Sequence, residues 1–516
     1  MQNSILKTNK AGLKRLLFWL ILAAGVFARI WRFGAVPGGI NQDEAFAAYE
    51  AWSLLKYGID TAGYHNPVYL TAWGSGMNAL ESYMMMPFIA LFGLEEWAIR
   101  MPQTIVSCLS VWVIYLLVKR TVSEEAGLWA MFMLAIAPWN IIAARWGLES
   151  NLTPGFLLFG LWFFVLALEK PRYLMLSALM YGLALYCYAT YWIYIPFIIL
   201  AMVIYAMACK KLRFDRYMVF SVLILGLMAL PLLLFLAVNN GLINEIRLPF
   251  LSIPKLLYMR SGEISLDEKA LKLELVKNIF VLQNDRNIWN SPERYGLFYY
   301  ISAPFAIIGL VSVIKRAAYS FRERRFCPEF LFLFQLVLAL PQLILVKINA
   351  TKINILFIPL TIFIALGVHV LGSLGRKRLG ALLAAAYAAL FIGFECYYFT
   401  DYADKCAYHF SAGLEQALDV AMEEGEHVYL EEGMFYPKIL FYAQTPVEDF
   451  RETVQYLFYP APYLTAVEFD RFSFWMNPYE PDETGAYVMS IGADRGLLAQ
   501  QGYTVETYGH YQVAYK

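Results

Sequence analysis

Ala79-Leu80-Glu81-Ser82-Tyr83-Met84-Met85-Met86-Pro87-Phe88-Ile89-Ala90-Leu91-Phe92-Gly93 is the stretch on which the topology of this chain turns. It is apolar, but it is short and holds Glu81 and Pro87. Around it, hydrophobic runs of about 17–22 residues recur, each the length of a membrane-spanning helix. We place spans near 13–33, 102–120, 126–143, 152–168, 173–190, 192–209, 217–238, 297–314, 329–346, 353–372 and 379–399, which makes about eleven. If 79–93 does not cross, the basic segments all fall on one side: the N-terminus, Lys119-Arg120, Lys170/Arg172, Lys210 to Arg216, Lys315 to Arg325 and Arg376 to Arg378. If it crosses, every basic loop from Lys119 onward opposes the basic N-terminus. The positive-inside rule favours the first arrangement. Residues 79–93 are therefore read as an amphipathic or re-entrant segment in the outer interface. The N-terminus is then cytoplasmic, and residues 34–101, 144–151, 239–296 and 400–516 face out.

Composition agrees with a bilayer as solvent. Of 516 residues, 60% are apolar and 16% charged, where a soluble domain carries about 25% charged residues. Lys+Arg and Asp+Glu both number 41, so no net basic charge argues for nucleic acid. The cysteines Cys108, Cys187, Cys209, Cys327, Cys396 and Cys406 form no CxxC pair, which argues against a disulfide framework or thiolate metal site. The basic-then-apolar start has no small-residue cleavage site and closes on Arg29, Trp31 and Arg32, so an uncleaved first span is expected. The fold class expected is an all-α polytopic membrane domain over 1–399 with a small extracytoplasmic α/β domain over 400–516. In the latter, a helix over Ser411 to Glu424 alternates with strands at His427 to Leu430, Ala486 to Met489, Tyr503 to Tyr508 and Tyr511 to Ala514.

The outward loops carry the candidate chemistry. Gly38-Gly39-Ile40-Asn41-Gln42-Asp43-Glu44 puts two carboxylates directly after the first span, a costly place for charge unless it is used. Asn41 with Glu44 three residues on also fits a capping box. Capping by Glu44 would leave Asp43 to face a ligand. His65-Asn66-Pro67-Val68-Tyr69 follows, and Arg100-Met101-Pro102 sits at the outer mouth of the second span. There Arg100 either snorkels or meets an acid or phosphate. Arg145 and Glu149 are four apart, the spacing of an i,i+4 ion pair. Glu149 would also lie beside the Asp43 loop, and two acids from separate loops are what hydroxyl activation needs. Asn284 to Gly296, with Asn290, is polar and turn-rich. Lys347 and Lys352 crowd another outer boundary, where a cation suits a lipid phosphate. The run Tyr186 to Tyr194 reads as an interfacial aromatic belt.

In this order and sidedness the residues resemble the GT-C superfamily of membrane glycosyltransferases. Specifically, they resemble the bacterial relatives of dolichyl-phosphate-mannose protein mannosyltransferase and the aminoarabinose transferase of lipid A. The likeness covers about the first 370 residues: Asp43-Glu44, the His65 to Tyr69 stretch, Leu91-Phe92-Gly93 before Arg100-Met101-Pro102, Ala137-Pro138-Trp139 before Arg145 and Glu149, and the Asn284 to Gly296 loop. It implies a polyprenyl-phosphate-sugar donor, an inverting transfer at the outer face, and a protein or envelope glycan or lipid acceptor. Asp43 would be the catalytic base, with Glu44 and Glu149 shaping the acidic site. Arg100, His65, Tyr69, Arg145, Asn290 and Lys352 would bind substrate. Lys352 stands where such enzymes commonly carry arginine, and His65-Asn66-Pro67 replaces His-Pro-Pro. Some members use a divalent metal ion and others do not; the sequence offers no ligand cluster for one. A polyprenyl-linked lipid transporter or flippase is the main alternative. It predicts paired ionisable residues in mid-span, and 217–238, 353–368 and 379–394 hold no acid or base.

Overall fold

The structure, a computed structural model, describes residues 2–259, 269–323, 325–373, 377–492 and 495–516. Eight helices among them are long and apolar enough to cross a membrane: Ala11–Ile30, Glu96–Thr121, Glu149–Ala167, Ala189–Ala208, Arg216–Asn239, Tyr300–Arg322, Asn354–Ser373 and Arg378–Tyr398. The chain is a multi-pass membrane protein.

The other three expected spans are occupied by shorter helices. Where 126–143 was expected to cross, Glu124–Ile136 ends and Pro138–Ala143 begins. Pro138 has no N–H to continue the first helix, and it forces the preceding residue out of helical geometry; Ala137 is extended at φ −65°, ψ 120°. The carbonyls released at Leu134 and Ala135 are taken by the buried Arg29 guanidinium, both at 3.0 Å. Tyr173–Leu185 is 13 residues long, about 20 Å at 1.5 Å per residue. The 329–346 region breaks at Pro341, between Phe330–Val337 and Gln342–Leu345.

The deciding stretch forms a helix, Leu80–Phe92, also of 13 residues. It packs between Gln42–Lys56 and Glu96–Thr121, and Ser82 Oγ donates to Ala47 O at 2.8 Å. Loop ends sort by charge. Lys14 pairs with Glu124 and Glu125 at 3.3 and 3.1 Å, Lys119 with Glu124 at 3.2 Å, and Arg120 with Glu169. These basic segments therefore share one end of the bundle. At the other end Gly147 N donates to Glu44 at 2.7 Å, and Asn78 N donates to Glu149. Part of the expected basic segment Arg376 to Arg378, and part of the 239–296 loop, lie outside the described residues.

The C-terminal region holds a seven-stranded mixed sheet. Its order is Thr504–Tyr508, Tyr511–Tyr515, Gly485–Ser490, His427–Leu430, Phe472–Ser473, Ala466–Phe469, Gln455–Tyr456. His427–Leu430 runs parallel to both neighbours and the other pairs are antiparallel. Helix Leu414–Glu424 stops at Gly425. The core beneath it does not respect the 399/400 boundary. Leu418, Val428, Ile439 and Val488 are buried in one cluster with Phe46, Tyr49 and Trp73 of the first long loop. Phe46 sits against Trp73 and Tyr436, with centroids 5.7 and 6.4 Å apart. Each such side chain contributes roughly 1.5–3 kcal/mol when fully buried, so the loop and the sheet stabilise one another.

Candidate active site

The site begins at the N-terminus of Gln42–Lys56. Asn41 Oδ1 accepts from Asp43 N at 3.0 Å and Glu44 Oε2 accepts from Asn41 N at 3.4 Å, the capping box that the spacing predicts. Glu44 is fully buried. Arg100 grips it with Nε to Oε1 at 2.7 Å and Nη2 to Oε2 at 3.0 Å, and Gly147 N adds a bond to Oε1 at 2.7 Å. Arg100 also donates to the carbonyls of Gly34, Pro37 and Gly39. A buried ion pair persists only when its remaining lone pairs and protons are also satisfied, and here they are. Glu44 is thereby held as a structural anchor. Asp43, half-buried one residue earlier, is carried on that anchor. Its neighbours Asn41 and Gln42 line a cleft of about 430 Å³ between this loop and the C-terminal region, with Trp289, His409, Ser411 and Lys438 on the other walls.

Two further acids converge from other elements. Glu81, 1% exposed, accepts from Gln103 Nε2 at 3.0 Å through Oε1, while Oε2 has no protein partner. Burial holds its carboxyl well above the usual carboxylate range; the Gln103 bond opposes this, and repulsion from Glu149, Glu44 and Asp43 adds to it. Glu149 accepts from the backbone N–H of Asn78, whose own side-chain amide is buried without partners. Gly147 is wedged where these groups meet: a Cβ there would lie 2.9 Å from Glu81 Oε1 and 3.1 Å from Glu44 Cγ. Sequence reading weighed Glu81 only as an obstacle to membrane crossing. A glutamate in the first turn of an otherwise apolar helix was the available signal.

Arg145, expected to bind substrate or to pair with Glu149, is placed for neither. Its five N–H donors go to carbonyls: Nε to Val36, Nη1 to Ala28 and Arg29, Nη2 to Trp31 and Arg32. The first helix ends there, and its last carbonyls need partners. Asn290 sits in the turn-rich loop as expected, but Asp285 organises that loop. Asp285 accepts from Asn287 N, Asn290 Nδ2 and Ser291 Oγ, and from Ala350 N at 2.9 Å. This ties 284–296 to the turn that carries Lys352, whose N–H is held by Asn349 Oδ1 at 2.8 Å.

A crystal structure of ArnT from Cupriavidus metallidurans, in the apo state, matches 98% of this chain and 98% of its own length at TM-score 0.57 and 12% identity. The chain shares the fold of ArnT. The fold also matches that of the archaeal oligosaccharyltransferase AglB from Archaeoglobus fulgidus, in complex with an inhibitory peptide and a dolichol-phosphate. That match has TM-score 0.51 and 14% identity, over 84% of this chain and 64% of that one. In sequence, a family model described as dolichyl-phosphate-mannose-protein mannosyltransferase matches residues 79–250. YkcB of Bacillus subtilis (strain 168), a provisionally assigned mannosyltransferase, is 27% identical over 164 residues. These are 31% of this chain and only 22% of YkcB.

Within this fold, two expected substrate residues lie apart from the four acids. His65 is exposed, with Nδ1 2.8 Å from Gly58 O. Tyr69 is buried and stacked on Phe235, centroids 4.5 Å apart. Their loop still serves the site, because Tyr69 pairs with Asn78 in a short hairpin and Asn78 N holds Glu149. Among the described residues, no three His, Cys, Asp or Glu side chains are placed to hold a metal ion.

Proposed function

We propose that this chain is an inverting glycosyltransferase. It would move a sugar from a polyprenyl-phosphate donor to an acceptor hydroxyl at the outer face of the cytoplasmic membrane. The observation that carries the reading is the anchored placement of Asp43. Glu44 and Arg100 fix the helix end that presents it, beside a cleft and within electrostatic reach of the buried Glu81. ArnT, the same fold, has been crystallised bound to undecaprenyl phosphate, which supports a lipid-phosphate donor here.

In the proposed step Asp43 takes the acceptor hydroxyl proton. The oxygen attacks the anomeric carbon and the lipid phosphate departs with the bonding pair. One base suffices, because inversion needs no covalent enzyme intermediate. Lys352 is the candidate cation for the leaving phosphate, as a point charge rather than a fork. Glu44 and Arg100 act by positioning.

The test is Asp43→Asn, assayed for transfer from polyprenyl-phosphate sugars by the purified protein. Loss of transfer with an unchanged melting temperature is expected; full activity in that variant removes Asp43 as the base.

A further inference from the structure

Gln455–Tyr456 is one edge strand of the seven-stranded sheet, and the chain around it is uncharged. No Asp, Glu, Lys or Arg occurs between residues 454 and 467. The loop that leaves the strand opens with Leu457-Phe458-Tyr459, whose side chains are 56%, 71% and 66% exposed. The loop is closed by its own backbone, with Leu457 N donating to Thr465 O at 2.9 Å. An exposed apolar patch of this kind marks a surface that a protein partner or a lipid phase covers.

Its place in the fold selects lipid. Tyr463 of the same loop stacks on Trp73, centroids 4.6 Å apart, and Leu464 N donates to Trp73 O at 2.9 Å. Tyr258 N donates to the next carbonyl, Gly74 O, at 3.0 Å. A Cβ on Gly74 would lie 3.0 Å from Ala461 O and 3.2 Å from Leu257 Cδ1. The loop and residues 256–258 therefore meet on Trp73-Gly74. Residues 254–256 are tied in turn to the end of the membrane helix Arg216–Asn239. Asn239 Oδ1 accepts from Leu256 N at 2.8 Å, and Asn239 Nδ2 donates to Pro254 O at 3.0 Å. This helix has 24 residues, about 36 Å at 1.5 Å per residue, against about 30 Å of hydrocarbon. With Arg216 among the headgroups at one end, Asn239 reaches those at the other. That is the active-site end, because Phe235 stacks on Tyr69. Leu257 and Tyr258 are exposed, as are Leu230 and Leu233 of the helix. Apolar surface thus continues from a membrane span to the sheet edge. Aromatic side chains with a polar tip favour this boundary. We infer that Leu457, Phe458 and Tyr459 insert into the headgroup–acyl boundary of the leaflet at the active-site end, so that the C-terminal region rests on the bilayer through this loop. The inference needs only a membrane protein and is independent of the transfer proposed above.

The test uses the full-length protein in nanodiscs of phosphatidylcholine and phosphatidylglycerol. An NBD fluorophore is attached at Phe458→Cys in a Cys396→Ser background, Cys396 being the exposed native cysteine; the background protein alone gives the blank. Phe458 is largely exposed, so its replacement leaves the core intact. The control is Thr504→Cys, exposed on the opposite edge strand Thr504–Tyr508. The label at 458 is expected to emit to the blue of the label at 504, to lose fluorescence when doxyl-labelled phosphatidylcholine is included, and to resist aqueous iodide. The label at 504 should show the reverse. Quenching at 458 by iodide but not by doxyl lipid overturns the inference and gives the patch to a protein partner. Equal doxyl quenching at 458 and 504 also overturns it, since contact would not be specific to this loop.

Discussion

Glu44 and Arg100, 56 residues apart in sequence, form a bidentate ion pair with both side chains fully buried. The pair joins the first long loop to the second membrane helix, and Gly147 N joins the second outward loop to the same carboxylate. Three segments distant in sequence are thus registered on one carboxylate before any substrate arrives.

Removing one partner should cost more than the pair contributes. Arg100→Ala leaves Glu44 charged, buried and unpaired, a loss of about 3–5 kcal/mol, and three backbone carbonyls lose their donor. Arg100→Lys keeps the charge but not the fork, so an intermediate melting temperature is expected. Thermal unfolding of the detergent-solubilised variants measures both. If Arg100→Ala melts with the wild type, the anchor role is wrong.

Glu81 makes stability depend on pH. Its raised carboxyl keeps its proton in the folded state, while the unfolded chain gives it up near the ordinary glutamate value. The unfolded state then binds fewer protons, so this contribution is fully present below the ordinary value and falls as pH rises through the raised one. Glu81→Gln removes the dependence. It should melt above wild type at pH 8, with the gap closing towards pH 4.5. An equal gap at both pH values would show that folding does not shift the Glu81 carboxyl.

The helical membrane part, the Asn41–Glu44 cap and four of the seven C-terminal strands were legible because each is written locally; the short strands Gln455–Tyr456, Ala466–Phe469 and Phe472–Ser473 were not read. Length and hydropathy mark spans, residue spacing marks the cap, and β-rich runs between turn residues mark strands. The three shortened spans were less legible, although Pro138 and Pro341 stand at two of the breaks. The site was only half legible. Asp43, Glu44 and Glu149 stood out as acids beside spans, but the fates of Arg100 and Arg145 depend on carbonyls that only the fold brings near. Arg145 spends every donor on carbonyls at and just beyond the end of the first helix, and no local pattern announces that. Asp285 was hidden for the same reason: its decisive partner, Ala350 N, is 65 residues away. The shared core of the first loop and the sheet couples Phe46 to Tyr436, a separation that hydrophobic periodicity cannot register.

Lys438 gives a pH signature of the opposite sign, from the C-terminal region. It is 5% exposed and donates to Ser411 Oγ at 2.6 Å. Burial pushes its ammonium down to about 8, against the attraction of Asp43 and Glu44. Between about 8 and the ordinary lysine value of 10.5 the unfolded chain holds a proton that the folded chain does not, so stability rises with pH across that window. Below it the charged lysine costs about 3 kcal/mol, from 1.36 kcal/mol per pKa unit. Lys438→Met should therefore melt above wild type at pH 7, with the difference shrinking by pH 10. A variant less stable at both pH values would mean that the Ser411 bond outweighs the buried charge.

Gly147 sets the spacing between the anchored and the protonated acid. In Gly147→Ala the new methyl would lie 2.9 Å from Glu81 Oε1, 3.0 Å from Met85 Cε and 3.1 Å from Glu44 Cγ. Met85 can yield, because its terminal methyl is flexible. Glu44 cannot, because Arg100 and Asn41 hold it. The strain must fall on Glu81 or on the Gly147 N–H bond to Glu44, and overpacking of this kind costs about 1–3 kcal/mol. A shift of that helix end also moves Asp43, and misplacement by 1 Å can cost about 10²-fold in rate. For the proposed transfer, the expected result is a fall of about tenfold or more in kcat. A loss confined to KM would place Gly147 in donor binding instead, and wild-type kinetics with wild-type stability would show that the acids tolerate being spread.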